Sequence, residues 1–128
     1  MRYLYLSMCC VLIQGRISVE KSVELLKGMS PSAVDYEIRA ISSDAEANDL
    51  ALLLRLFIQQ LSTCRNYELL QSFVNVTLRA HGEVLAEHAR YAALLVQLLD
   101  EQQKAWARMQ ALVSETICLV DFCRNAPL

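Results

Sequence analysis

Apolar residues along this chain recur at spacings of three and four rather than in alternation, so the pattern predicts helices throughout and no strands. The first predicted helix runs from Arg2 to Gln14 and ends at Gly15, a residue that takes the left-handed conformation at a helix end. A second spans Val19 to Lys27, with Val23 and Leu26 inward and Gly28 as its stop. Ser30 then stands where a side-chain oxygen takes up unpaired backbone N–H groups, and Pro31 at the first helical position lacks only an N–H that would be orphaned anyway. The helix they start carries Val34, Ile38 and Ile41 on one stripe. Ser43-Asp44-Ala45-Glu46 reads as a capping box, the serine capping the backbone and the glutamate reaching back to it. It opens a helix of about twenty residues, with Leu50, Leu53, Leu54, Phe57 and Leu61 on one stripe and Leu52, Leu56 and Ile58 on the flanks. A helix so nearly apolar all round runs through a core.

Arg65-Asn66 breaks that helix, and Asn66 is placed to cap the next, Tyr67 to His81. Here Leu70, Phe73, Val74 and Thr77 face in, while Glu68, Gln71, Ser72, Asn75 and Arg79 face out, and Gly82 marks the end. The last predicted helix spans His88 to Arg124, roughly 55 Å at 1.5 Å per residue. Its seam alternates steps of four and three through His88, Ala92, Leu95, Leu99, Gln102, Trp106, Met109, Val113, Thr116, Val120 and Cys123. Eight of these eleven positions are apolar, as a long seam against other helices requires. The polar run Asp100 to Lys104 splits the seam, so the first half is expected on the domain's own core and the half from Trp106 onward along it or beyond it. The fold class is therefore all-α: a single domain over residues 1–128, a bundle of about five or six helices with a long C-terminal helix.

Composition sharpens this picture. Hydrophobic residues make up 55% of the 128 and charged residues 20%, more apolar than an ordinary domain of this length requires, and such surplus is surface that another chain covers. The net charge is −2, and the twelve basic residues are spread almost evenly, which argues against the clustered cations of a phosphate-binding face. Five cysteines form an odd count with no CxxC pair and read as reduced thiols acting as small apolar residues. The run Tyr3 to Ile13 after Arg2 resembles a signal peptide, yet no small-x-small cleavage site follows and the run is too short to span a bilayer; an inward-packing helix is the better reading.

Candidate chemistry is sparse, and an enzyme is not expected. His81 and His88, near Glu83 and Glu87, would sketch a zinc site in a continuous helix, but Gly82 interrupts it and no cysteine completes four donors. Cys64, Cys118 and Cys123 sit on apolar stripes where a thiol is inert. No phosphate loop, GxGxxG or HExxH is present, and no metal or cofactor is expected. Trp106 reads either as ordinary core or as an anchor in a partner's groove, and Met109, Val113 and Val120 share its seam as candidate interface positions.

Three segments together resemble one known family. GMSPSAVDYEIRAIS, from Gly28 to Ser42, is similar to a signature in which a proline-serine turn precedes a short helix ending in glutamate, isoleucine or leucine, and arginine. LLLRLFIQQLSTCRNYELLQSFVNVTLRAHGE, from Leu52 to Glu83, resembles that family's paired helices, and WARMQALVSETICLVDFCRN, from Trp106 to Asn125, its closing helix. The family is the C-terminal domain of U-three-protein twenty-one, a WD-repeat subunit of the UtpB subcomplex of the small-subunit processome. The resemblance implies a helical module at the end of a longer WD-repeat protein in the nucleolus. It also implies a scaffold that joins other WD-repeat subunits through their helical ends and meets pre-ribosomal RNA and the U-three small nucleolar ribonucleoprotein indirectly, with no membrane partner. In isolation such a domain is expected to self-associate or to bind a sister subunit. Two rival readings are an RNA-contacting domain of the same particle and an unrelated small secreted or membrane-associated helical protein.

Overall fold

The computed structural model describes residues 18–41 and 48–127, and these form helices joined by short turns, with no strand among the described residues. The helices are α1 (Val19–Gly28), α2 (Pro31–Arg39), α3 (Asp49–Ser62), α4 (Tyr67–Glu87) and α5 (Ala92–Asn125), with a single 3₁₀ turn at Ala89–Tyr91. The all-α class and the long C-terminal helix are as the periodicity predicts. The predicted helix from Arg2 to Gln14 and the capping box from Ser43 to Glu46 lie outside the described residues.

Local chemistry explains where the elements begin. Before α2 the Ala33 N–H donates to Ser30 Oγ at 3.3 Å, and Pro31 occupies the first helical position. The α2 stripe is buried as read from the sequence, with Val34, Ile38 and Ile41 all inside. So is the α3 stripe of Leu50, Leu53, Leu54, Phe57 and Leu61, with Leu52, Leu56 and Ile58 half-buried at its sides. Described α3 starts at Asp49 and has 14 residues rather than about twenty.

Three expectations are corrected. Asn66 does not cap α4 with its side chain; it sits in the left-handed region at φ 55°, as does Cys64, and together they turn the chain between α3 and α4. Asn tolerates that conformation through local backbone bonding, so the residue shapes the turn rather than the helix start. Nor does Gly82 end α4, which continues to Glu87. One glycine costs a helix interior about 1 kcal/mol, and burial of Leu85, next on the inward series after Thr77 and His81, outweighs it. The break falls instead at His88, whose backbone is extended.

The third correction concerns the seam of α5. Ala92 and Leu99 are exposed, and the buried stripe runs through Tyr91, Leu98 and Ala105, with Leu94, Leu95, Gln102 and Met109 half-buried beside it. The true phase is set by Tyr91, 1% exposed, under the guanidinium of Arg90 at 4.6 Å and edge-on to His88. Small Ala105, not large Trp106, fills the close approach further along.

Helix directions follow from side-chain contacts. Asn48 and Arg90 border the same groove while Arg108 Nη1 donates to Cys64 Sγ at 3.0 Å, so α3 and α5 run parallel. Tyr67 lies beside Trp106 and Gln102 Nε2 donates to Gln71 Oε1 at 2.5 Å, so α4 runs antiparallel to both. The core sits between these three helices, α1 packs on α3, and α2 packs on α4.

Candidate protein-interaction surface

The lengths of the parallel pair do not match. At 1.5 Å per residue the 14 residues of α3 span about 21 Å and the 34 of α5 about 51 Å. The turn between α3 and α4 lies beside Trp106 and Arg108, so residues 110–125 continue past the end of the bundle for about 24 Å. Every residue from 110 to 127 is exposed.

The overhang keeps the phase of the core. Steps of seven return nearly to the same side of a helix, and Leu98 and Ala105, both buried, lead by that step to Leu112 and Leu119, which are 64% and 65% exposed. Thr116 and Cys123 lie on the same side, with Val113 and Val120 at its edge. The stripe that packs against α3 and α4 therefore continues bare once those helices run out. Phe122, the most exposed large apolar residue of the chain's described part, lies at the margin of the same surface.

The four seam residues singled out from the sequence divide across this boundary. Trp106 is half-exposed, its ring centroid 6.3 Å from that of Tyr67, so it caps the end of the core rather than filling it. Met109 is half-buried, and Val113 and Val120 stand in the open. Leu112, Leu119 and Phe122 were missed by the seam as predicted; the seven-residue step from Ala105 is the signal that finds the two leucines.

A second feature lies at the other end of α5. Between α3 and α5 runs a groove of about 640 Å³, floored by Ala51, Ile58, Ala93 and Leu94 and flanked by Arg55 and Arg90, with no acidic residue among the described residues that line it. Nothing in the linear sequence marks it, because it exists only once α3 and α5 are laid parallel. Along the solvent side of mid-α5, the Lys104 ammonium is held charged by Asp100 and then by Glu101, which pushes its pKa above the usual lysine range.

The two histidines are engaged separately. His81 is buried and its Nε2–H donates to the Ile38 carbonyl at 2.7 Å, tying α4 to α2. His88 is exposed and its Nδ1–H donates to the Val84 carbonyl at 3.0 Å. The helix between them is continuous, contrary to the sequence reading, yet the described residues hold no group of three or more His, Cys, Asp or Glu that suits a metal ion. Cys64, Cys118 and Cys123 are exposed free thiols rather than buried apolar fillers. No helix among the described residues is long and apolar enough to cross a membrane.

Comparison with known proteins gives this surface a family. The model of the "Utp21 specific WD40 associated putative domain" matches residues 12–124. WD repeat-containing protein 36 of Homo sapiens is 23% identical over 124 residues, which is 94% of this chain and 14% of that protein. The U3 small nucleolar RNA-associated protein 21 homolog of Schizosaccharomyces pombe is 31% identical over 65 residues, covering 51% of this chain and 7% of the relative. U3 small nucleolar RNA-associated protein 21 of Saccharomyces cerevisiae is 33% identical over 60 residues, 47% of this chain and 6% of the relative. The chain thus spans at most about one seventh of these relatives. Since the family match runs from before α1 into the last turn of α5, the chain belongs to the Utp21-specific, WD40-associated domain family.

Proposed function

We propose that this chain is a non-catalytic protein-interaction module of the small-subunit processome, acting in the nucleolus in support of small-subunit ribosomal RNA processing. In this reading it is the C-terminal helical end of a WD-repeat protein and joins other WD-repeat subunits through their helical ends. Contact with pre-ribosomal RNA and the U3 small nucleolar ribonucleoprotein is then indirect. The observation that carries the proposal is the bare continuation of the core stripe on α5 through Leu112 and Leu119. An apolar helix face of that length is expensive to leave in water and is the usual donor half of a helix-in-groove contact. The relatives' names, U3 small nucleolar RNA-associated proteins, support the choice of particle.

The test uses a WD-repeat protein carrying this domain, with Leu112 and Leu119 both replaced by Asp. Affinity purification should lose the sister WD-repeat subunits, and unprocessed precursor of the small-subunit RNA should accumulate while the protein stays folded. Unchanged subunit recovery and normal processing would refute the proposal. Direct RNA binding that falls steeply between low and moderate salt would favour the RNA-contacting alternative.

A further inference from the structure

The groove between α3 and α5 lies at the other end of α5 from the bare overhang, with about 20 Å of helix between Gln97 and residue 110. We propose that this groove is a second, separate docking site, which takes about three turns of an acidic amphipathic helix from another protein and holds one of its carboxylates on Arg55. This goes beyond the processome reading, since it concerns a different surface and depends on nothing about which particle the chain serves.

The shape suits a helix. On α3 the groove is lined by Asn48, Ala51, Arg55, Ile58 and Gln59, spaced mainly by three and four and set apart from the buried stripe of that helix. From position 48 to 59 it is about 17 Å long, or three helical turns. Ala51 and Ala93 carry nothing beyond Cβ, so the backbone of a third helix can approach closely enough for its apolar stripe to reach half-buried Ile58 and Leu94.

The charge suits an acidic one. Arg55 is exposed and makes no hydrogen bond or ion pair with any described residue, and its planar fork matches a carboxylate with two parallel bonds. On the opposite wall the guanidinium of Arg90 is ordered over the Tyr91 ring and donates to the Tyr91 hydroxyl, so it adds positive charge already held in place. Glu101, one turn beyond Gln97, is paired with Lys104. Within a chain of net charge −2, two arginines thus face an apolar floor, which selects carboxylates and apolar side chains together. Nucleic acid fits less well. Two cations release few counterions, and Tyr91, the aromatic residue among the described lining, is 1% exposed and offers no face for a base to stack on.

Fluorescence anisotropy of the 128-residue chain with a labelled 14-residue helical peptide, leucine along one stripe and glutamate on its flanks, is the experiment. Circular dichroism establishes that each variant keeps its helices. The contact is small beside a standard interface, so half-saturation is expected at about 0.1 mM. Arg55→Glu, or glutamine for glutamate in the peptide, should weaken binding about fivefold or more, whereas Arg79→Glu on α4 should leave it within about twofold. No binding, or equal loss from Arg55→Glu and Arg79→Glu, would overturn the proposal. So would an oligouridylate that binds more tightly than the peptide and depends on Arg55, which would assign the groove to phosphate. Replacing Leu112 and Leu119 by Asp should leave the peptide affinity unchanged; a loss there would put the peptide on the overhang and also refute a separate site. If those replacements leave sister-subunit recovery and RNA processing normal while the peptide still binds, the processome reading fails and this one stands; normal loss of the sisters with no peptide binding does the reverse.

Discussion

His81 and Glu37 are both buried polar residues, on α4 and α2, and their situations are opposite. His81 Nε2–H reaches the Ile38 carbonyl, whereas both carboxylate oxygens of Glu37 are buried with no hydrogen-bond partner among the described residues. His81→Phe keeps an aromatic ring and removes the donor. The Ile38 carbonyl still accepts a long 3.3 Å bond from Ile41, so the loss should be near 1 kcal/mol rather than the 3 of a wholly orphaned group, read as a lower urea midpoint at unchanged slope. Glu37→Met replaces an unpaired carboxylate by an apolar chain of similar length. It should raise stability by about 1–3 kcal/mol in the same assay, and a loss of stability would mean that the carboxylate is bonded after all.

Among the elements, α4 carries the clearest contest between local preference and packing. Gly82 lies mid-helix, and a Cβ built there meets nothing within 4 Å. Gly82→Ala should therefore stabilise the chain by about 0.5–1 kcal/mol, through helix preference alone, with a higher thermal midpoint and no change in binding. The same position shows what a linear reading recovers. The stripes of α2 and α3 were legible because each is a run of apolar residues on one side, and nothing competes with that signal. Gly82 looked like a stop because a local breaker is easier to see than the distant leucine that outweighs it. The α5 seam was misphased for a related reason: Leu99 and Trp106 look like better core residues than Leu98 and Ala105, but available space, not hydrophobicity, decides which side of α5 meets α3. The groove flanked by Arg55 and Arg90 was invisible, since its walls come from residues more than thirty positions apart.

At the scale of the whole molecule, α5 is a core helix over one half and a surface helix over the other, and a pair of leucines tests where that boundary falls. Leu98 and Leu112 are two seven-residue steps apart, chemically identical and on the same side of the helix, but the first is 3% exposed and the second 64%. If residues beyond Met109 take no part in the bundle, Leu98→Ala should cost about 2–5 kcal/mol and Leu112→Ala less than about 0.5 kcal/mol. For a domain of this size the first lowers the melting temperature by about 10 °C or more and the second barely moves it. The order should reverse in any measurement of association: Leu112→Ala weakens the contact made by the bare stripe, while whatever Leu98→Ala does follows the fraction of chain still folded. Equal destabilisation by the two would place both leucines in one intramolecular core, and α5 would no longer be the element through which this chain meets another.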